Sequence, residues 1–213
     1  VMIELVQGEG GGVPFDKEKI KELAKFLKEN DILLIIDEVQ TGVFRTGEFL
    51  ASNLYEIEPD IITLAKGIGG GVPMGAVMTK HKDIWTAGDH GSTFGGNYLV
   101  TAAALEVLDI LENLKDSGTL DETIIYFTKK LNDIFEANRD IFITHVGLGL
   151  MRGLRVKDAD TLASLIKTAF EFGVMVLKSG NNTLRFLPAL TISKSEIDEG
   201  FIRLQKAITK IKS

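Results

Sequence analysis

Residues 60–71 read DIITLAKGIGGG, and the reading of this stretch decides the fold. Ile61, Ile62 and Leu64 form a run that is apolar on both faces, as in a strand covered on both sides of a parallel sheet. Lys66 ends the run and Gly67, Gly69, Gly70 and Gly71 follow. A lysine there is either the solvated end of a strand or an amine held in the crevice where the strands of an open α/β sheet bind ligands. Lysine amines are ordinarily protonated at neutral pH, with a pKa of about 10.4, and become nucleophiles only where their surroundings disfavour the charge. Neighbouring glycines let backbone and ligand approach closely.

The flanking sequence supports an α/β layout. VMIELV (1–6), ILLIID (32–37) and PMGAVMT (73–79) read as further strands. Between the first two, residues 16–30 place Ile20, Leu23, Ala24 and Leu27 at helical spacing behind Asp16 as N-cap. Strand–helix–strand alternation implies parallel pairing. Residues 97–114 turn helical, long enough to carry the chain between domains. Helices over 121–137 and 159–172, an alternating strand over 147–156, short strands over 174–177 and 184–187, and a last helix over 193–212 follow. Ser193 or Ser195 is the candidate cap of that helix. The expected organisation is a large α/β domain through residue 114, connecting helix included, and a smaller α+β domain over 115–213. Because the apolar strand VMIELV needs a partner from other sequence, the chain is expected to be the later part of a longer polypeptide.

Composition narrows the function. Against 24 Lys and Arg stand 30 Asp and Glu, a net charge of −6, which argues against nucleic-acid or anionic-membrane partners. With 0 cysteines there are no disulfides, thiolate nucleophiles or cysteine–zinc sites, which suits a reducing, cytoplasmic setting. No apolar run approaches the roughly 20 residues of a membrane helix, and no signal peptide is evident. His81, His90 and His145 lack metal-ligand spacing and no H-E-x-x-H occurs, so no metal is expected.

The acidic pair Asp37–Glu38 ends an apolar run, as in P-loop nucleotidases. That reading needs G-x-x-x-x-G-K-[ST], and no Gly-Lys pair occurs. Strand neighbours point to opposite faces, so one of the two carboxylates faces the crevice. Gly147-Leu-Gly149 has the wrong spacing for a dinucleotide loop, and Asp158-x-Asp160 reads as a solvated turn with Asp160 as a helix cap. HGSTFGGN (90–97) sets small hydroxyls beside glycines just before a helix, an arrangement that turns donors onto an anion. An amine at Lys66, a carboxylate at Asp37 for a pyridinium nitrogen, and phosphate donors at Ser92 and Thr93 together describe a pyridoxal 5'-phosphate site.

VQGEGG (6–11), IIDEVQTGVFRTG (35–47), LAKGIGGGVPMGA (64–76) and HGSTFGGN resemble, in order, the motifs of the class-III (ω-) aminotransferases. The likeness is greatest to members acting on N-acetylornithine and extends to VMVL (174–177) and LRFLPAL (184–190). It implies fold-type I of the pyridoxal-phosphate enzymes, here the later part of the large, mostly parallel-sheet domain plus a small C-terminal α+β domain. It also implies a homodimer with shared active sites. Lys66 would hold the cofactor aldehyde and shuttle the proton; Asp37 would pair with the ring nitrogen. Val39 would pack on the ring, Gln40 would bond the phenolic oxygen, and Ser92 and Thr93 would reach the phosphate of the neighbouring subunit. Glu9 and Arg185 would form a switch, paired while the amino donor is bound and parted when 2-oxoglutarate arrives. The implied reaction moves the ω-amino group of N-acetylornithine to 2-oxoglutarate, giving glutamate. Ornithine, succinylornithine and 4-aminobutyrate remain alternative donors, and a non-catalytic folding or dimerisation fragment the non-enzyme alternative. The chain departs from the pattern at Leu5 and Tyr98, where proline is usual, and at Val146, where arginine is frequent. The family's first phosphate loop, ring-stacking aromatic and acetylornithine-carboxylate arginine are not found, so this chain alone is expected to form half a site and to be inactive.

Overall fold

In the computed structural model, which describes residues 1–83 and 85–212, the elements in chain order begin with strands β1 (Met2–Ile3), β2 (Val6–Gln7) and β3 (Val13–Pro14). Helix α1 (Lys17–Glu29), β4 (Ile35–Asp37), α2 (Ala51–Tyr55), β5 (Ile61–Leu64), β6 (Ala76–Thr79) and α3 (Tyr98–Asp116) follow. Then come α4 (Thr119–Ala137), β7 (Phe142–Leu148), β8 (Met151–Val156), α5 (Ala159–Glu171), β9 (Leu177–Ser179), β10 (Thr183–Phe186) and α6 (Lys194–Lys212). Two compact units result. One joins Val1–Leu5 to Phe15–Asp116, and the other joins Val6–Pro14 to the residues from Ser117 onward. The chain passes between them where α3 ends at Asp116, two residues beyond the expected division, and segment 6–14 goes with the second unit.

The first unit is built on a sheet of order β1-β4-β5-β6. Strands β1, β4 and β5 are parallel, with Met2 opposite Ile35 and Asp37 opposite Thr63. Strand β1 thus takes its partner from β4. Strand β6 runs antiparallel to β5. The link between them is a glycine-rich turn too short for the crossover that parallel neighbours require. Leu34, Ile36, Ile62 and Leu64 are buried with Ile20 and Leu27 of α1. Asp16 caps α1, its Oδ1 accepting from the Lys19 N–H at 2.9 Å.

Lys17 and Lys21 tie α1 to Glu56, the residue that ends α2; the Lys21 bond is 2.6 Å. Hydrogen bonds from Lys17, then Lys21, hold the Glu56 carboxyl down to about 2, from 4.5. A carboxyl so depressed contributes its full stabilisation above pH 4.5 and loses it as pH falls through the folded value. The urea midpoint of Glu56→Gln should therefore lie slightly below wild type at pH 6 and converge with it toward pH 2.5. A constant difference across that range would refute the linkage. Since these are surface groups, high salt should shrink the gap at pH 6 as well.

In the second unit a four-stranded antiparallel sheet has the order β7-β8-β10-β9. The single strand expected over 147–156 is a hairpin, β7 and β8 turning at Gly149–Leu150. Gly147 has φ 93° and a Cβ there would lie 2.0 Å from the Met151 carbonyl oxygen, so only glycine fits. Phe127 of α4, Phe186 of β10 and Phe201 of α6 meet in one aromatic cluster, the Phe127–Phe201 centroids 5.2 Å apart. Leu131, Leu154, Leu165, Leu184 and Ile208 complete the core. Asp158, not Asp160, caps α5, accepting from the Thr161 N–H at 2.7 Å. At α6 the cap is Ser193: its Oγ accepts from the Glu196 N–H while the Glu196 carboxylate accepts from the Ser193 N–H, a reciprocal capping box. The opening run VMIELV is not one strand: Met2–Ile3 belongs to the first sheet, and Val6–Gln7 pairs with Val13–Pro14 as a hairpin of the second unit. No helix among the described residues is long and apolar enough to cross a membrane.

Candidate functional site

In the first unit the candidate residues gather where β4 and β5 end. Asp37 is the last residue of β4 and half-buried. Its Oδ1 accepts from the Val39 N–H at 2.9 Å and from the Thr63 hydroxyl at 3.2 Å. Its Oδ2 has no partner among the described residues, so the carboxylate is oriented yet keeps one oxygen free.

Glu38 points the other way, as the pleat requires. It is 1% exposed and accepts from Thr41 Oγ1 (2.6 Å), Ala51 N–H (2.9 Å), Ser52 N–H (2.8 Å) and Ser52 Oγ (2.7 Å). Two of these donors are the first N–H groups of α2, which have no partner inside the helix. The second carboxylate of the acidic pair is therefore a structural anchor for the loop that carries Val39 and Gln40. Sequence reasoning missed this role because its partners stand 13 and 14 residues downstream.

That loop is pressed onto the end of β5. A Cβ on Gly42 would meet Leu64 Cδ2 at 2.7 Å and the Glu38 carbonyl oxygen at 2.9 Å. Val43 (φ 54°) and Phe44 (φ 65°) are buried in the left-handed region, which costs a β-branched or bulky residue energy and is found where surroundings enforce it. A Cβ on Gly67 would stand at ordinary contact distance from Val43. Val39 and Gln40 are half-buried, and the Gln40 amide has no partner among the described residues.

Lys66 opens a 3-10 turn, Lys66–Gly69, immediately after β5. It too is left-handed, with φ 50°. Its side chain is exposed, and its amine has no hydrogen bond or ion pair among the described residues. The sheltering crevice expected around it is not formed by these residues. In the segment 90–97, Ser92 Oγ accepts from the Gly95 N–H at 2.9 Å, and Asn97 caps α3 through the Leu99 and Val100 N–H groups. Ser92 lines an open groove of about 890 Å³ together with Thr63, Gly75 and Phe94. Thr93 is exposed, its hydroxyl unpartnered among the described residues.

The second unit brings Glu9 and Arg185 together. Arg185 sits in β10 between Gly153 of β8 and Leu177 of β9. Its Nη1 donates to Glu9 Oε1 at 2.7 Å and to the Gly8 carbonyl at 3.5 Å. The arginine side chain is 12% exposed and the glutamate 73% exposed. Arg185 Nε is buried without a hydrogen-bond partner among the described residues. A nearly buried cation thus faces a carboxylate that solvent can draw away, leaving a planar donor fork for another carboxylate.

The free Asp37 Oδ2, the unpartnered Lys66 amine and the free Gln40 amide are what the first unit offers a ligand. A carboxylate acceptor, an amine and an amide suit an aromatic aldehyde with a basic ring nitrogen and a phenolic oxygen.

Residues 1–208 match the family model described as aminotransferase class-III. The chain is 56% identical to acetylornithine aminotransferase of Wolinella succinogenes over 99% of this chain and 54% of that protein. It is 44% identical to the acetylornithine aminotransferase of Streptococcus mutans, covering 97% of this chain and 54% of that protein. Among solved structures, the ornithine aminotransferase of Toxoplasma gondii superimposes with a TM-score of 0.90 at 31% identity, covering 99% of this chain and 51% of that one. The N-acetylornithine aminotransferase of Stenotrophomonas maltophilia gives 0.85 at 31% identity, covering 99% and 56%. The chain spans about half the length of the relatives it matches. With a match that runs almost end to end, and a fold shared with fold-type I enzymes, the P-loop alternative is set aside and the chain belongs to the class-III aminotransferase family.

Proposed function

We propose that the polypeptide containing this chain transfers the ω-amino group of N-acetylornithine to 2-oxoglutarate, with pyridoxal 5'-phosphate as cofactor and two copies of the chain sharing active sites. In this reading the unit of Val1–Leu5 and Phe15–Asp116 is the cofactor-binding domain, and the unit of Val6–Pro14 with the residues from Ser117 onward is the small domain. The observation that carries it is the Asp37 carboxylate, tied through one oxygen and free at the other, at the end of the strand beside the one that leads to Lys66. Bound pyridoxal phosphate supplies an electron sink for the carbanion formed when a substrate C–H bond breaks.

The residues of this chain do the rest. Asp37 Oδ2 accepts a hydrogen bond from the ring nitrogen and keeps that nitrogen protonated. Lys66 Nζ would hold the aldehyde end until the donor's amine displaces it, and the freed lysine amine would take and return the substrate proton. Val39 packs on the ring and the Gln40 amide donates to the phenolic oxygen. Ser92 and Thr93 donate to the phosphate held by the partner copy. Phe94, Tyr98 and Leu99 beside them are exposed, Tyr98 to 95%, and an apolar surface of this kind favours association. Glu9 neutralises Arg185 while the singly charged end of the donor is bound; released, Arg185 grips a carboxylate of 2-oxoglutarate.

A donor panel run on the complete polypeptide and scored for glutamate tests the substrate. N-acetylornithine should give the highest kcat/KM; a higher value for ornithine, succinylornithine or 4-aminobutyrate would reassign the donor. Arg185→Ala should lower kcat/KM of the 2-oxoglutarate half-reaction by about thirty-fold or more, the usual loss when a buried charge partner is removed, and the donor half-reaction far less. Equal losses in single-turnover measurements of both halves would dismiss the switch.

A further inference from the structure

Segment 8–11 is gripped along its backbone by the turn between β9 and β10. Ser179 Oγ donates to the Gly8 carbonyl at 2.7 Å, the Gly180 N–H to the Glu9 carbonyl at 2.9 Å, and Asn181 Nδ2 to the Gly10 carbonyl at 2.8 Å. Thr183 Oγ1 adds a longer bond, 3.3 Å, to the Gly11 carbonyl. Four successive carbonyls are thereby engaged, three by the turn 179–182 and the fourth by Thr183 at the start of β10. The approach is so close that a Cβ on Gly180 would lie 2.6 Å from the Glu9 carbonyl oxygen, and one on Gly11 would lie 2.7 Å from the Gly180 carbonyl oxygen. Asn181 (φ 54°) and Asn182 (φ 52°) are both left-handed, the conformation that reverses a hairpin tightly and that asparagine tolerates better than most residues. Ser179 is 4% exposed, so its hydroxyl has no water to turn to if the Gly8 carbonyl leaves.

The Glu9 carboxylate, by contrast, meets Arg185 at 2.7 Å and lies mostly in solvent, 73% exposed. We infer that the turn 179–182 is a clamp that fixes the Glu9 backbone, so that the ion pair opens and closes by side-chain rotation alone, and that Ser179, Gly180 and Asn181 are positioning residues for the choice between the two substrates. This rests on the Glu9–Arg185 switch proposed above and deepens it. With the clamp intact, Glu9 returns to one place whenever the second carboxylate departs, and the loop order it needs is already established before the donor binds. A loosened clamp lets the whole segment wander, which weakens the closed pair and favours the state in which Arg185 is free.

The test uses the complete polypeptide and single-turnover measurement of each half-reaction. Asn181→Gly keeps the left-handed turn and removes the amide donor, so the variant should fold. It should lower the donor half-reaction by about five-fold, the effect of one hydrogen bond, and leave the 2-oxoglutarate half-reaction unchanged or faster. Asn181→Asp, which sets an acceptor against the Gly10 carbonyl, should shift the ratio further in the same direction. Glu9→Gln alone should shift it likewise, and adding Asn181→Gly to Glu9→Gln should then change it no further, because both act on one ion pair. Amide hydrogen exchange in the peptide covering 7–13 should accelerate in Asn181→Gly. An unmoved ratio in Asn181→Gly, a full shift repeated in the Glu9→Gln background, or unchanged exchange would each overturn the clamp while leaving the switch standing. If Glu9→Gln itself leaves the ratio at the wild-type value, the switch is what fails, and the clamp's role in substrate choice fails with it.

Discussion

Lys66→Ala in the complete polypeptide should lower kcat by about 10⁴-fold or more, since proton transfer by a positioned side chain alone contributes up to that order and the hold on the cofactor is lost besides. Lys66→Arg should be no better, because a guanidinium keeps its proton at any working pH. Borohydride reduction in the presence of pyridoxal phosphate should place the label on the peptide that contains Lys66, and on no peptide of the alanine variant. Residual turnover within tenfold of wild type, or a label elsewhere, would remove Lys66 from the chemistry. The backbone offers an independent control. With φ 50°, Lys66 occupies a conformation that suits glycine. Lys66→Gly should therefore unfold at a denaturant concentration no lower than wild type while being equally inactive, separating loss of chemistry from loss of structure.

Glu38→Ala should cost about 4 kcal/mol of unfolding free energy, the largest stability effect expected of a single substitution in the first unit. The removed carboxylate strands the N–H groups of Ala51 and Ser52 in the interior, at about 1–3 kcal/mol each, and leaves the hydroxyls of Thr41 and Ser52 to find other acceptors. Glu38→Gln keeps one acceptor oxygen but turns an amide N–H₂ toward donors, so it should fall between alanine and wild type. Denaturant unfolding of this chain measures both, and a loss below about 1 kcal/mol for the alanine variant would show that water replaces the carboxylate. Pyridoxal-phosphate affinity of the complete polypeptide should fall in parallel, because the loop freed by the substitution carries Val39 and Gln40.

Elements whose signal is local were legible in the sequence. Asp16 and the spacing of Ile20 and Leu27 mark α1, and the Ser193–Glu196 pair marks the start of α6. Where the signal depends on distant partners the reading failed. VMIELV reads as one apolar run broken only by Glu4, although its halves join different sheets and Leu5 and Val6 are both fully buried. Residues 147–156 read as one alternating strand, and the reversal at Gly149 shows only in the positive φ that glycine permits there. At the site, the order of the motifs singled out Asp37, Lys66, Glu9 and Arg185. Thr63, which orients Asp37, was read only as part of an apolar strand, because its hydroxyl acquires meaning from pairing across to β4. The turn 179–182 reads as an ordinary polar loop, its partners lying about 170 residues earlier.

That separation has a consequence for biosynthesis. Ser179 bonds to a carbonyl 171 residues earlier. At roughly 5–20 residues per second of translation, the β2–β3 hairpin waits on the order of ten to thirty seconds for the strands that complete its contacts. The sheet containing Asp37 and Thr63 needs nothing beyond α3 and can settle while the ribosome is still at work. Nascent chains arrested with residue 116 just clear of the exit tunnel should therefore yield a protease-resistant core that lacks residues 6–14, and resistance should spread to them only once β10 has left the tunnel.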